Sequence, residues 1–573
     1  AARFYDIVNT SVNDVAMTVL PNAPIDADTG LPVPTIAVAT NGGVSIIKDN
    51  GSVVDITNGQ DGSAFNYIDN LFFRKDGALV WVGDSSTNTA AERFVQVLHN
   101  LPTVDTNQGS VENSSVIDEQ YGPSHKTGSE LRWATTAGVK ATSDAGDNFA
   151  VGTSGALHLI KYNREVEQEG SIAHITSDYN TGYMLGDIKL ATLSDTDTTN
   201  NPELITNGTF DSGVTGWATS GGSIAWNGSG DQTATVTSSG SSIWNGATQT
   251  LTGLEVGKTY FLTADIITSS NWGSIGFSAG PGSGNRYGSY TSWNSGSTFP
   301  IKAKAQFTAA ATSVTVTIDS LNTSNATVTK VDNISVRLAA VDHSYNDNGL
   351  QTFGTVTKTA VATGAELVGY SGFSGSNYLQ QPYNSGLAFG TGDFSFICWV
   401  KKTGTTGGYI FDRANGDGTQ RVTAYFNSGA STISGYTNNG PINDVVVPNG
   451  SWFQLVQLRV NGTMKIYIDG VLKGSVATAT NLSGDTNVPL RIGTRFNSTD
   501  ALTNGSLALF RVSATAPTPE QIAKMYNDEK HLFREDAKAT LYGTSDAVTA
   551  LAYDDGPELL HAGTSAGRSV FQG

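Results

Sequence analysis

A single cysteine, Cys398, stands in 573 residues, so no intramolecular disulfide can hold this fold in any compartment. No apolar run approaches the ~18 residues that a membrane-spanning helix requires, which excludes membrane insertion of that kind. Charge is sparse and one-sided: 15% of residues are charged, and Lys+Arg 33 against Asp+Glu 51 leaves a net −18. Such a chain gains nothing by approaching phosphate backbones or anionic membrane surfaces, whereas neutral glycans remain compatible. The histidines, at 99, 125, 158, 174, 343, 531 and 561, show neither HExxH nor H-x₃-H spacing, so zinc is unsupported. A nucleophile elbow, a P-loop and a dinucleotide fingerprint are all missing, and Gly280–Gly284 lacks the strand-to-helix setting of a phosphate cradle. Carboxylate pairs such as Asp554-Asp555 fall in turns, where nothing places them across a glycosidic bond. No catalytic residue is therefore named, and the chain is expected not to be an enzyme. The start, AARFYDIVNTSVND, has neither an initiator Met nor a signal-peptide pattern and reads as processed or partial.

What is abundant is glycine, 65 against 16 prolines, with much Thr, Ser, Asn and Val. This is the texture of a strand- and turn-rich chain with little helix. The tail Asp546–Gly573 organises the reading, because its unit Leu559–Phe571 repeats Ile36–Ile47, Arg132–Thr142 and Phe149–Ile160 as strand, Thr, Gly turn and strand. Repeated strand–turn–strand units predict the four-stranded blades of a β-propeller. Residues 1–200 and 536–573, at ~40–45 per blade, would make about five or six blades. The fold class is thus all-β: a propeller interrupted by a long insertion of different texture, with one short helix near 518–533. In that helix Thr518 and Gln521 form a capping box, Pro519 opens the first turn, and Ile522, Met525 and Tyr526 make a packing stripe.

Within the first part, Thr142–Phe149, TSDAGDNF, resembles the Asp-box turn of sialidase-like propellers, which implies a structural hairpin. The arginine cluster and Tyr/Glu pair of such enzymes are not evident among the first two hundred residues.

The insertion divides at about 340. Glu203–Trp217, Gln249–Ala264 and Val331–Leu338 resemble the opening, core and closing strands of the jelly-roll carbohydrate-binding modules that accompany cellulases and xylanases. That resemblance implies saccharide contacts by aromatics, since a sugar's C–H face packs on a planar ring. The candidates are Trp226, Trp244, Trp272, Tyr287, Tyr290 and Trp293, and the Gly/Ser-rich stretch 272–293 reads as loops carrying a row of Tyr287, Tyr290 and Trp293. It also implies a structural Ca²⁺ held by Asp211 and Asp332, although two carboxylates are too few to identify such a site.

Residues 341–535 carry Leu387–Val400, Ser451–Val460, Lys465–Leu472 and Leu507–Val512, which in this order resemble the concanavalin-like, laminin-G-like lectin sandwich. Asp469-Gly470 between two apolar runs reads as a type I′ hairpin turn. Phe394, Phe396, Cys398 and Val400 should share a buried strand face.

The whole arrangement resembles tail-appendage or virion-surface proteins of marine bacteriophages. That resemblance implies a non-catalytic adhesin at a virion surface or tail, or otherwise extracellular, which recognises host glycans beside other virion proteins and is open to homo-oligomerisation. Two further readings stay open: an enzyme of polysaccharide breakdown with accessory sandwiches, and a purely structural tail component.

Overall fold

The computed structural model describes residues 6–572 apart from 58–66, 76, 86–91, 99, 108–113, 119–138, 146–147, 154, 162–170, 185, 200–201, 240–243, 281–284, 323–325, 345–347, 415–420, 438–439 and 484–487. Strand makes up 51% of the described residues and helix 4%, so the described fold is all-β. Among the described residues no helix is long and apolar enough to cross a membrane.

The N-terminal part and the tail form four stacked meanders. The first contains Val12–Thr18, Thr35–Thr40, Gly43–Ile47 and Val53–Thr57, with Thr106–Asn107 added in parallel. The second contains Tyr67–Phe73, Leu79–Ser85, Glu92–Leu98 and Ser114–Asp118. Val139–Ala145, Asn148–Thr153, Leu157–Lys161 and Ser171–Ile175 make the third, and the tail strands Val548–Asp554, Leu559–Thr564 and Gly567–Gln572 the fourth.

Strand periodicity explains the stacking, because alternate residues serve opposite neighbours. Leu79 and Trp81 pack on Ala37, Val44 and Ile46 of the first sheet, while Val80 and Val82 pack on Val151 and Ile160 of the third. Ala150, Leu157 and Ile175 of the third sheet then meet Val548, Leu560 and Ala562 of the tail. Strands buried on both faces read as continuous apolar runs, as LVWV does.

Among the described residues there are thus four such sheets, where five or six blades were expected. Ile36–Ile47, Phe149–Ile160 and Leu559–Phe571 are each hairpins within a sheet. Most of Arg132–Thr142 lies outside the described residues, as does the turn 146–147 of the Asp-box segment. The strands flanking that turn pair as a hairpin, with Asp144 opposite Phe149.

One N-terminal strand departs from the expected division near residue 200. Ile188–Thr192 pairs antiparallel with Gly505–Ser513 of the second sandwich, and Leu190 and Leu193 enter that sandwich's core. Beside this junction the rings of His158 and His174 stack at 4.6 Å, and Tyr179 stacks on His343 at 3.6 Å. Burial pushes His158 and His343 well below the usual imidazole value and His174 down to about 4, despite Asp546 near His174, while Lys258 adds to the lowering of His343. Burial also pushes Asp342 up to about 6, against hydrogen bonds from Ala191, Ser344 and Asn348.

Unfolded histidines bind protons near 6.5 and these folded ones do not, so stability falls as pH drops from about 6.5 toward 4. Asp342 opposes this, since its folded carboxyl takes up a proton near 6 and its unfolded one only near 4. Three imidazoles outweigh one carboxyl. The urea midpoint of the junction should therefore be lower at pH 5 than at pH 7.5, and His158→Gln should shrink the difference. A midpoint that rises on acidification would contradict this account.

The first sandwich packs two five-stranded sheets. Its front sheet runs Ala218–Ser220, Gly246–Thr252, Ser313–Ser320, Gly273–Ser278 and Arg286–Trp293. Its back sheet runs Gly222–Trp226, Ala234–Ser238, Val328–Leu338, Thr259–Ser269 and Ile301–Thr308. The opening and closing motifs lie side by side, Leu204 N donating to Val336 O and Ile334 N to Gly208 O.

The second sandwich sets an eight-stranded sheet against a seven-stranded one. Phe394, Phe396, Cys398 and Val400 all enter the core between them, and burial pushes the Cys398 thiol up to about 12. The hairpin turn has φ of 52° at Asp469 and 79° at Gly470, the left-handed pair that a type I′ turn needs. The helix Pro519–Glu529, with its Thr518/Gln521 capping box, covers the outer face of the eight-stranded sheet through Ile522 and Met525.

Candidate saccharide-binding faces

On the front sheet of the first sandwich, Ile275, Phe277, Val316 and Ile318 point into the core. The alternate positions Ser274, Ser278, Thr317 and Asp319 therefore form the outer face. Arg286 lies along that face. Its Nη2 donates to Asp319 at 2.6 and 2.5 Å and to Ser274 Oγ at 2.8 Å, and its Nη1 to Thr317 Oγ1. Burial pushes the Asp319 carboxyl above its ordinary value, while Arg286 and the two hydroxyls pull it back. The guanidinium sits 4.9 Å from the centroid of the Trp244 ring and 5.8 Å from that of Tyr290. The product is a charge-compensated plate of hydrogen-bonding groups carrying two aromatic rings.

The expected row is divided by this arrangement. Tyr290, opposite Gly276 and 48% exposed, belongs to the outer face. Tyr287 pairs with core-facing Phe277 beyond a register shift and is set on the other side, exposed. Trp293 is only 3% exposed and lies in the core, so its place among the sugar-contacting residues is corrected. Trp244 joins the face, where its amide donates to Ser320 O. Trp272 stands exposed at the end of the front sheet, beside Gly273. Trp226 is on the back sheet, its Nε1 donating to Phe210 O at 2.7 Å. The sequence reading missed Arg286 and Asp319, placing 272–293 in loops where two strands form. Two residues apart in a strand share a face and three do not, a parity that could have separated Tyr290 from Trp293.

Asp211 and Asp332 come near each other, since Asp332 is raised first by burial and then by Asp265 and Asp211. Lys302 already holds Asp265 at 2.7 Å, and no group of three or more ligating side chains occurs among the described residues. Ca²⁺ takes 6–8 oxygens, so these side chains alone do not make a Ca²⁺ cage.

The seven-stranded sheet of the second sandwich carries another polar and aromatic face. Gln380, Arg491, Asp412, Thr423 and Tyr436 stand directly opposite one another across adjacent strands. Arg421 grips Asp412 through Nε at 3.0 Å and Nη2 at 3.1 Å. Tyr409 and Tyr425 stack at 5.0 Å, with Arg421 and Arg495 over the Tyr409 ring.

Residues 373–523 match the family described as the concanavalin A-like lectin/glucanases superfamily. The second sandwich is a concanavalin A-like domain. Similar solved structures include domain 4 of AbnA, an extracellular arabinanase from Geobacillus stearothermophilus, in complex with arabinotriose. It shares 20% identity over 32% of this chain and 92% of that one, with a TM-score of 0.26. The binding domain of botulinum neurotoxin serotype D shares 15% identity over 33% of this chain and 49% of its own, at a TM-score of 0.26. That of Paraclostridial Mosquitocidal Protein 1 shares 10% over 33% and 49%, at 0.27. The chain thus spans about half the length of the two toxin binding domains. No curated protein sequence matches.

The arginines of the concanavalin-like domain's outer face were not singled out in the sequence. Arg421, Arg491 and Arg495 are separated by up to 74 positions and meet only through strand pairing.

Proposed function

We propose that this chain is a non-catalytic glycan-binding protein, displayed at a virion surface or tail, in which four stacked sheets are blades of an interrupted propeller and the two sandwiches meet the glycan. The observation that carries the glycan reading is the front face of the first sandwich. There Arg286, neutralised by Asp319, lies between Trp244 and Tyr290. The buried and compensated ion pair holds the rings in place without adding net charge, and the half-exposed Tyr290 ring with Trp244 offers planar apolar surface, which suits a neutral sugar ring. The concanavalin A-like domain supports the same reading.

Tyr290→Ala should weaken binding of a neutral oligosaccharide by roughly 1–3 kcal/mol, the loss expected of an anchoring aromatic. The urea midpoint should stay nearly unchanged, because the Tyr290 ring is half exposed. Glycan-array binding by the full chain, with product release followed on the glycans that bind, makes the test. Array binding unaffected by Tyr290→Ala would refute the site, and released oligosaccharide would refute the non-catalytic role.

A further inference from the structure

We propose that the outer face of the seven-stranded sheet is a second saccharide site and that it selects a sugar carrying an anionic group, held by Arg491 and Arg495 beside the tyrosine shelf.

Asp412 is buried and already gripped by Arg421, so that pair adds no net charge to the face. Arg491 has no carboxylate partner among the described residues. Its Nε donates to Gln380 Oε1 at 3.0 Å, and its Nη1 to Ser498 Oγ at 2.8 Å and to Arg495 O at 3.3 Å. The guanidinium is further fixed 4.9 Å from the centroid of the Tyr378 ring. It is thus a cation held rigidly by neutral groups, a form suited to a planar anion because little side-chain freedom is lost on binding.

Arg495 adds a second charge. Its pairing with Asp500 is a 3.2 Å contact at the solvent-exposed rim, of the kind that contributes little, and its Nε is buried with no partner among the described residues. The same guanidinium lies 5.6 Å from the Tyr409 ring centroid. Lys304 of the first sandwich adds a third, near enough that Arg491, after burial, helps lower its ammonium below the ordinary value. Arg421, Arg491, Arg495 and Lys304 against Asp412 and Asp500 leave positive charge in excess among the described residues here, which stands out in a chain of net charge −18. Beside them the stacked Tyr409 and Tyr425 present the flat surface on which a sugar ring rests.

This face differs from that of the first sandwich, whose arginine is compensated, so the two sites should part by ligand charge. The test uses the full chain and an array of acidic oligosaccharides, some carboxylated and some sulfated, each beside its neutral methyl-esterified or desulfated form. An acidic member should bind at least tenfold more tightly than its neutral form, and its affinity should fall as salt is raised from 50 to 500 mM. Arg491→Gln should weaken it about tenfold, Arg491→Lys less, and Tyr290→Ala not at all. Loss through Tyr290→Ala alone would move the ligand to the first sandwich and overturn the proposal. Equal binding of neutral and acidic forms, or binding of no acidic member, would overturn it too. The comparison of charged and neutral ligands is made on the unaltered protein, so it decides the matter even if an Arg491 variant fails to fold.

Discussion

Glu529→Ala should lower the stability of the concanavalin-like domain by about 3–5 kcal/mol, the cost of leaving a buried partner charge uncompensated. Glu529 ends the helix Pro519–Glu529, where an acid opposes the helix dipole, so its presence has to be explained by tertiary contacts. Both carboxylate oxygens are engaged by Arg511, which is itself 1% exposed. Trp399 Nε1 donates to Oε2 at 2.6 Å and the Tyr183 amide to Oε1 at 2.7 Å. One side chain therefore ties the helix to the eight-stranded sheet and to the N-terminal segment that leads into Ile188–Thr192.

Removing it leaves the Arg511 guanidinium, among the described residues, with the carbonyls of Tyr183 and Leu509. Urea unfolding of the domain, together with hydrogen exchange at the Tyr183 amide, measures the loss and its place. The double variant Glu529→Leu with Arg511→Met should recover most of the stability, because exchanging both charges for apolar groups avoids the stranded ion. A single-variant loss under about 1 kcal/mol would show that solvent reaches this pair.

Local rules read from the sequence held where a few neighbouring residues decide the outcome. The Thr518/Gln521 capping box formed, Asp469-Gly470 took the left-handed turn, and Cys398 faced the core with Phe394, Phe396 and Val400. Expectations faltered where strand register or distant pairing decides. Ile188–Thr192 pairs outside the N-terminal sheets, with Gly505–Ser513 more than 300 positions away, a partnership that no local pattern announces. The arginines of the seven-stranded sheet are scattered in sequence and adjacent only once the strands 408–413, 422–426 and 490–492 pair. The stretch 272–293, rich in Gly and Ser, read as loop. Gly273, Gly276 and Gly288 are instead sites of close approach within strands: a Cβ on Gly276 would lie 2.7 Å from the Tyr290 Cβ.

The same close packing fixes what Trp293→Ala should do: destabilise the first sandwich by about 3–5 kcal/mol, the cost of removing a buried large aromatic. Trp293 pairs with Gly273, and a Cβ there would stand 2.8 Å from the indole. The glycine thus gives the ring its room, and Gly273→Ala should destabilise the same sheet by forcing ring or strand aside. The indole Nε1 is buried with no hydrogen-bond partner among the described residues. Trp293→Phe, which removes that unpaired donor while keeping most of the apolar ring, should therefore cost less than Trp293→Ala. Urea denaturation of the three variants gives the order, and saccharide affinity measured where each remains folded should match the unaltered chain. Weakened binding in Trp293→Ala with an unshifted unfolding midpoint would instead place Trp293 on the ligand-contacting face beside Tyr290.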